Sequence, residues 1–305
     1  MHLQQTLKRE SGCVGIGLHS GRKVKLTLKP ASADTGIVFR RVDRDHFEIP
    51  ATSDHIARLN HATCLSKDGV RIETVEHLLA ALAALGIDNT IVELDAPEVP
   101  IMDGSAAPFI YLIHEAGVRS LARQRSYIKL TRPVAVESDG RQVAAYPSDS
   151  LRVSYTINFD HPLLRHQQRS IEIAEASFIE DIAPARTFGF LKDVEQMRQA
   201  GLALGGSLDN AVVLGEAGVL NNRLRFSDEF VRHKILDILG DLSLLGRPLL
   251  AHIVAVRAGH SLHSQLVRQI LSSPECWEPV SYPEASEPVA SGVSSSKTPV
   301  TEPVS

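Results

Sequence analysis

Two stretches of the chain carry apolar residues at helical spacing. The first stripe consists of Val231, Ile235, Ile238, Leu242 and Leu245. The second consists of Leu78, Leu79, Leu82 and Leu85. Steps of three and four residues place side chains on one face of a helix. We therefore predict two helices with one buried face each, the second capped by Thr74 and ended by Gly86.

The first of these helices has an unusual polar face. His233, Asp237 and Asp241 follow one another in steps of four, beside the apolar stripe. A surface helix normally fills this arc with Glu and Lys. An imidazole and a carboxylate at i and i+4 can instead bind one zinc ion. A solvated helix face explains the same residues, and for this helix taken alone it is the commoner explanation.

The second helix starts with an acidic residue and a histidine. Adjacent residues on a helix point about 100° apart, so His77 can face a metal while Glu76 stands beside it. Two histidines, one carboxylate and a nearby glutamate that is not a ligand are the components of a catalytic zinc site. The alternatives are a first-turn acid that favours the helix dipole and a core histidine.

Alternating apolar and polar residues predict strands in both halves of the chain. They lie at residues 23–29, 37–49, 51–65, 89–94, 128–137, 141–146, 151–159, 210–214 and 249–256. Further helices are expected at residues 107–116 and 191–200, and a last one from about residue 262 to residue 271. Each half runs through strands, a long helix, a Gly, a buried strand, a turn and a second helix. This weak internal duplication favours an α+β fold, with a sheet and two helices in each half.

The same pass along the chain suggests its boundaries. A first α+β domain is expected over residues 1–122 and a second over residues 127–271, because the polar, basic segment 118–127 separates them. Residues 187–214 form a strand–helix–strand insertion, which ordinary core packing would also explain. Residues 272–305 hold six of the 16 prolines and are predicted to be a disordered tail. Trp277 is expected to pin the root of that tail to the body.

Composition narrows the class of protein. The chain has 305 residues, of which 43% are hydrophobic and 22% charged, as in ordinary globular proteins. The net charge of −4, without a dense Lys/Arg run, argues against a nucleic acid partner. Three widely spaced cysteines indicate a reducing compartment. The N-terminus lacks the features of a signal peptide, and the longest apolar run is too short to cross a bilayer, so a cytoplasmic enzyme is expected.

The assembled motifs resemble one family, the zinc-dependent UDP-3-O-acyl-N-acetylglucosamine deacetylases of lipid A biosynthesis in Gram-negative bacteria. The matching stretches are GIGLHSG at 15–21, TVEHLLAALAALGIDN at 74–89, PIMDGSAAPF at 100–109, ARTFGF at 185–190, LGGSLDNAVV at 204–213, FVRHKILDILGDL at 230–242 and AGHSLH at 258–263. They cover nearly all of residues 1–271 in the order of the family. The resemblance implies two similar domains with the active site between them.

The resemblance also implies a reaction and the residues that perform it. The reaction is hydrolysis of the acetamide of UDP-3-O-[(R)-3-hydroxyacyl]-N-acetylglucosamine to acetate and a free amine, the committed step of lipid A biosynthesis. The implied zinc ligands are His77, His233 and Asp237. The implied catalytic residues are Glu76 as general base, His260 as the cation that protonates the leaving amine, Asp241 as its orienting carboxylate, Thr187 as hydrogen-bond donor to the oxyanion and Lys234 as substrate contact.

The implied substrate gives further residues a role. The insertion at 187–214 would form a passage for the acyl chain, with Leu18, Phe188 and Phe190 at its mouth. Phe159 would stack on uracil, and Arg141 would meet the diphosphate, where family members often carry Lys. For each of these residues, core packing or solvation is the plainer explanation. One Zn²⁺ per chain is expected, although Fe²⁺ suits the same ligands, and the chain is expected to be a monomer.

Three other functions fit parts of the pattern. A zinc amidase for another acylated sugar or a peptide would share the metal site and differ in the substrate groove. A metal-stabilised carrier of lipid or nucleotide-sugar would not need Glu76, Thr187 and His260 together. A structural metal site would use four closed ligands, whereas the sequence supplies three.

Overall fold

The computed structural model describes residues 3–57, 62–216, 218–221 and 223–282. Its helices are α1 (Glu76–Ala84), α2 (Ala107–Ala116), α3 (Glu175–Ser177), α4 (Leu191–Gln199), α5 (Glu229–Leu242) and α6 (His260–Ser272). Its strands in the first part of the chain are β1 (Leu3–Leu7), β2 (Ser11–Ile16), β3 (Lys23–Pro30), β4 (Ile37–Arg41), β5 (Phe47–Pro50), β6 (Cys64–Lys67), β7 (Val70–Glu73), β8 (Thr90–Leu94) and β9 (Val118–Gln124). The later strands are β10 (Tyr127–Leu130), β11 (Val134–Ser138), β12 (Arg141–Pro147), β13 (Arg152–Ile157), β14 (Gln167–Glu172), β15 (Phe188–Phe190), β16 (Val212–Leu214), β17 (Leu249–Val256) and β18 (Trp277–Val280). Short 3₁₀ turns lie at Ser53–His55, Ser243–Leu245 and Pro274–Cys276, and a π-helical turn lies at Phe178–Ile182.

The first half of the chain builds a five-stranded sheet in the order β2-β3-β8-β4-β5. Only the β4–β8 pair is parallel. The alternation in β3 works as predicted, since Val24, Leu26 and Leu28 are buried between lysines. Helices α1 and α2 belong to the same half and pack against each other.

The second half builds a seven-stranded sheet around β17. This buried strand pairs antiparallel with β12 and parallel with β10 and β13. Helix α6 packs on β11 and β12, and α5 packs on β13, β14 and α6. Each half thus supplies one main sheet and two long helices, and α1 of the first half packs against α5 of the second. The α+β fold class is confirmed, while the division into two similar domains stays a prediction.

The predicted insertion has the expected order of elements. Strands β15 and β16 pair in parallel, and α4 connects them. Core packing explains part of the insertion, because the three residues of β16 are buried. It does not explain α4, since all nine residues of this helix, which the structure describes in full, are at least partly exposed. The helix stands on the surface and presents one side to a cavity described below.

Three local predictions in the body of the chain need adjustment. Thr74 does not cap α1, because its hydroxyl donates to Glu98 instead. The polar, basic segment 118–127 contains a strand, since Val118–Gln124 pairs with β1, while the domain boundary expected there stays a prediction. Helix α6 begins at His260, not near residue 262.

The boundary of the tail at residue 272 is also wrong. Trp277–Val280 forms a strand that pairs antiparallel with β10. The indole of Trp277 donates to the carbonyl of Ile270 and stacks under the guanidinium of Arg247. Trp277 therefore joins this segment to the body, as expected. Residues 283–305 of the predicted tail lie outside the described residues.

Within the part of the chain that the structure describes, no helix combines the length and the apolar character needed to cross a membrane.

Candidate metal centre and active site

Three buried side chains from α1 and α5 point at one another. His233 Nε2 lies 3.3 Å from Asp237 Oδ1, and His77 Nε2 lies 3.7 Å from the same oxygen. The two imidazole rings are perpendicular, with centroids 4.9 Å apart. One ligand atom from each residue falls within 4.8 Å of the other two. These distances allow the three atoms to share one metal ion at about 2 Å each.

Neighbouring groups orient these candidate ligands. His233 Nδ1 lies 3.0 Å from the carbonyl of Ala185, so this nitrogen carries the proton and Nε2 keeps a free lone pair. Lys234 Nζ donates to Asp237 Oδ2 at 2.7 Å and leaves Oδ1 facing the histidines. Such second partners are the usual companions of metal ligands. The donor set and its supports therefore fit a divalent ion.

The protonation states also suit metal binding. Burial and the neighbouring His233 lower the pKa of His77 to about 3. Burial alone would raise the pKa of Asp237, but the charge of Lys234 and the nearby histidines hold it well below its usual value. Near neutral pH the imidazole is neutral and the carboxylate is ionised, which are the forms that bind metals.

A backbone contact sets the distance between the two ligand-bearing helices. The Cα of Gly240 faces the main chain of Glu76 so closely that a Cβ there would lie 2.1 Å from the Glu76 carbonyl oxygen. No side chain fits at that distance. A glycine at position 240 is therefore required for α5 to approach α1 at the metal ligands.

Glu76 is buried beside this centre. The backbone N–H of Thr63 donates to its Oε2 at 3.1 Å, and its Oε1 lies 3.9 Å from His260 Nε2. Burial raises the pKa of Glu76 to about 8, against the opposing charge of His260. A carboxyl group with a pKa near neutrality can both accept and release a proton.

His260, at the start of α6, is held by Asp241 of α5. Its Nδ1 donates to Asp241 Oδ2 at 2.7 Å. Burial alone would lower the pKa of His260, but the charge and hydrogen bond of Asp241 raise it to about 9. Burial would raise the pKa of Asp241, whereas the His260 charge and the hydrogen bonds from His260 and His263 lower it to about 2. The pair is thus an imidazolium and a carboxylate near neutral pH.

A largely apolar cavity of about 530 Å³ opens beside the centre. It is lined by Phe159, Phe188, Gly189, Phe190, Asp193, Gln196, Met197, Ala200, Leu202 and Lys234. Phe188 joins the cavity to the ligands, because its ring contacts those of His233 and Phe159. Lys234 lies over the same ring and also reaches Asp237. Phe188 and Lys234 therefore line the cavity and also contact the candidate metal ligands.

Three predicted site residues lie elsewhere or at the margin. Thr187 follows the segment whose Ala185 carbonyl holds His233, and its backbone pairs with Gly104 and Val212. Leu18 accepts a hydrogen bond from Gly205 in the Gly-rich bend after α4. Arg141 lies at a hairpin end with 54% of its side chain exposed, paired with Asp139 at 4.0 Å. None of these three residues is among the described residues that line the cavity.

Sequence reasoning missed three residues outside α1 and α5 that hydrogen-bond to residues of the site or next to it. Thr63 contacts both Glu76 and Asp241. His263 donates to Asp241 at 2.8 Å. Glu98 accepts from the backbone of His19 and Ser20 and from the hydroxyl of Thr74. His263 stands three residues after His260 on α6, a helical spacing that could have revealed it.

The arrangement defines a candidate metal-dependent hydrolase site. Residues 4–272 match the family model of the UDP-3-O-acyl N-acetylglycosamine deacetylases. The chain belongs to this family.

Curated relatives agree over nearly their whole length. A UDP-3-O-acyl-N-acetylglucosamine deacetylase of Myxococcus xanthus is 50% identical over 90% of this chain and 88% of its own. The protein of the same name from Syntrophotalea carbinolica is 47% identical over 93% of each chain. The one from Pseudomonas entomophila is 48% identical over 93% of this chain and 95% of its own. The resemblance inferred from the motifs is thereby confirmed.

Proposed function

We propose that this chain hydrolyses the acetamide of UDP-3-O-[(R)-3-hydroxyacyl]-N-acetylglucosamine to acetate and the free amine, the committed step of lipid A biosynthesis. The observation that carries the proposal is the buried cluster of His77, His233 and Asp237, with Glu76 and His260 beside it and an apolar cavity against it. The names of the relatives specify the same substrate class.

His77, His233 and Asp237 would hold one divalent ion. We infer Zn²⁺ from the two imidazoles and one carboxylate, and Fe²⁺ suits the same set. When bound, the ion supplies Lewis acidity toward the amide carbonyl and the attacking water. All other steps rest on side chains of this chain.

Glu76 and His260 divide the proton transfers between them. Glu76 takes a proton from the attacking water, and His260 Nε2 gives a proton to the departing amine nitrogen. An imidazolium is the side chain suited to donate near neutral pH. The hydrogen bond from Nδ1 to Asp241 keeps the charge on His260 and leaves Nε2 facing Glu76.

The remaining residues bind the substrate. Thr187 donates to the amide oxygen as negative charge develops there, a contact that typically contributes about 100-fold or more to rate. Lys234 lies at the junction of ligands and cavity, where a cation meets polar groups of the sugar. The acyl chain enters the cavity between Phe188, Phe190 and Met197, and each buried methylene contributes about 0.8 kcal/mol.

The margin of the site would hold the rest of the nucleotide-sugar. Phe159, which contacts Phe188 and Phe190, offers an aromatic face to uracil. The exposed Arg141 would meet the diphosphate, for which guanidinium geometry is well suited, and Leu18 borders the insertion. We further infer a cytoplasmic location, which the three unpaired thiols support. That the chain is a monomer stays a prediction.

The test is acetate release from UDP-3-O-(3-hydroxymyristoyl)-N-acetylglucosamine by wild type and by Glu76→Ala, with the metal content of both measured. We expect turnover by wild type, a loss of at least about 100-fold in the variant, and one metal ion in each. Wild type that binds its metal and releases no acetate would overturn the proposal in favour of another amidase or a carrier.

A further inference from the structure

Thr63 contacts both Glu76 and Asp241, the carboxylate that holds His260. It immediately precedes β6 and is 1% exposed. Its backbone N–H donates to Glu76 Oε2 at 3.1 Å, and its hydroxyl donates to Asp241 Oδ1. Its carbonyl accepts from the N–H of Val75 at 3.3 Å, at the entry to α1. One residue from a loop thus joins α1 to α5.

The direction of these hydrogen bonds follows from the donors available. Asp241 is an ionised carboxylate and only accepts, so the single hydroxyl proton of Thr63 points to Oδ1. The hydroxyl oxygen then turns its lone pairs toward His260 Nδ1, which lies 3.2 Å away. That nitrogen donates mainly to Asp241 Oδ2. Thr63 therefore fixes the plane of the carboxylate on which the His260 ring is aligned.

The backbone contact acts on the other partner. With Oε2 of Glu76 held by Thr63, the second oxygen, Oε1, is the one that faces His260 Nε2 at 3.9 Å. His263 also donates to Asp241. Among the described residues, however, Thr63 is the one that donates hydrogen bonds to both Glu76 and Asp241.

We propose that Thr63 is a positioning residue that sets the placement of the proton acceptor Glu76 relative to the proton donor His260. The proposal rests on the function proposed above. Proton transfer requires heavy atoms within hydrogen-bond reach of the reacting group, and a displacement of about 1 Å can cost about 100-fold in rate. The rate should therefore depend on the distance between Glu76 and His260, which the two hydrogen bonds donated by Thr63 hold in place.

Removal of the Thr63 hydroxyl tests the hydrogen bond from this side chain to Asp241. Thr63→Val keeps the shape and the backbone N–H and removes the bond to Asp241, whereas Thr63→Ser keeps that bond. We expect Thr63→Val to lower kcat by about tenfold or more, as loss of a hydrogen bond to a charged group predicts, with KM within about twofold and metal content unchanged. Thr63→Ser should stay close to wild type.

Thr90→Val is the matched control. Thr90 is equally buried, and its hydroxyl donates to the carbonyl of Lys29, outside the active site. We expect it to leave kcat unchanged even if it lowers Tm. An equal fall of kcat in Thr63→Val and Thr90→Val, or no fall in Thr63→Val, would overturn the proposal.

A double-mutant cycle identifies the route of the effect. If Thr63 acts through Asp241, Thr63→Val should lower kcat in wild type and have little further effect in Asp241→Ala. Independent, additive losses would show that Thr63 acts elsewhere.

A spectroscopic reading separates this proposal from the proposed function. In metal-loaded protein labelled with ¹⁵N-histidine, the Nδ1 resonance of His260 (assigned with His260→Gln) should shift in Thr63→Val and stay in place in Thr90→Val. An unmoved resonance overturns the role of Thr63 whether or not wild type releases acetate. Wild type without acetate release but with the shift overturns the deacetylase function alone.

Discussion

Two buried glutamates, Glu229 at the start of α5 and Glu76 on α1, have opposite electrostatic surroundings. Glu229 begins the helix and is fully buried, yet it accepts four hydrogen bonds, from the Arg186 side chain and from the backbone of Arg186 and Arg225. Burial alone would raise the pKa of Glu229, but Arg186 and these N–H groups hold it below its ordinary value. Glu76, which packs against the C-terminal part of the same helix at Gly240, accepts from Thr63 and has its pKa raised to about 8 by burial.

The difference shows how one side chain type serves two purposes at similar burial. Four N–H donors, two of them from the Arg186 guanidinium, replace the water that Glu229 loses on folding, so its charge stabilises the fold. Glu76 lacks that replacement and lies near Asp237 and Asp241. Its charge is costly in the metal-free protein, which is the condition expected of a group kept for chemistry.

The strongest test of this contrast removes the charge of Glu229. In Glu229→Gln the buried Arg186 loses its partner, and we expect the free energy of unfolding to fall by about 3–5 kcal/mol at pH 7. Because the folded pKa of Glu229 lies below its unfolded value, this contribution exists above about pH 4.5 and disappears as the pH falls. Urea unfolding from pH 7 to pH 3 measures both effects.

Glu93→Gln is the control for a surface pair. Glu93 binds Lys29 and Arg40 near solvent, and its loss should cost about 1 kcal/mol or less. Equal losses for Glu229→Gln and Glu93→Gln would contradict a structural role for the buried cluster.

The same substitution at Glu76 should have the opposite sign. The folded pKa of about 8 lies above the ordinary carboxyl value of 4.5, so the folded state binds more protons than the unfolded state between these pH values. Stability then falls as the pH rises through this window. We expect metal-free Glu76→Gln to be more stable than wild type by about 2–3 kcal/mol at pH 7 and equal to it near pH 4. Chelator-treated protein unfolded in urea gives the measurement, and a less stable variant at pH 7 would contradict it.

A smaller effect concerns protons released when metal binds. At pH 7 His77 and Asp237 have already lost their protons, whereas Glu76 keeps most of its own. A nearby dication lowers a carboxyl pKa, so Zn²⁺ should release about one proton from wild type and fewer from Glu76→Gln. Calorimetry in two buffers of different ionisation enthalpy counts these protons. Equal release by both proteins would assign the proton to another group.

The periodic parts of the site were predictable, and the irregular parts were not. The spacing of His233, Asp237 and Asp241 survives folding because a helix fixes it, and Glu76 with His77 follows the same rule on α1. Thr63 reaches Asp241 across 178 residues of sequence, a pairing that no local pattern encodes. Family resemblance supplied His260 and Thr187, whose loop or helix-start positions carry no signal of their own.

Burial was the weaker part of the fold prediction. Core packing was one explanation of the insertion, which is rich in Leu, Val, Met and Phe, and it holds for β16. It fails for α4, where Leu191 is 40% exposed and the helix lies on the surface. Trp277 was placed in a tail because prolines surround it, but its strand completes the sheet at β10. In both places the surroundings come from distant parts of the chain: α4 faces a cavity, and the strand of Trp277 pairs with β10.

The contact at Gly240 has a consequence for how the site tolerates change. Because the two helices meet there main chain to main chain, backbone atoms and not a side chain set the closest approach of α1 and α5, next to the candidate metal ligands. Gly240→Ala would therefore push α5 away from α1. His77 would then lie farther from His233 and Asp237, although all three candidate ligands would still be present.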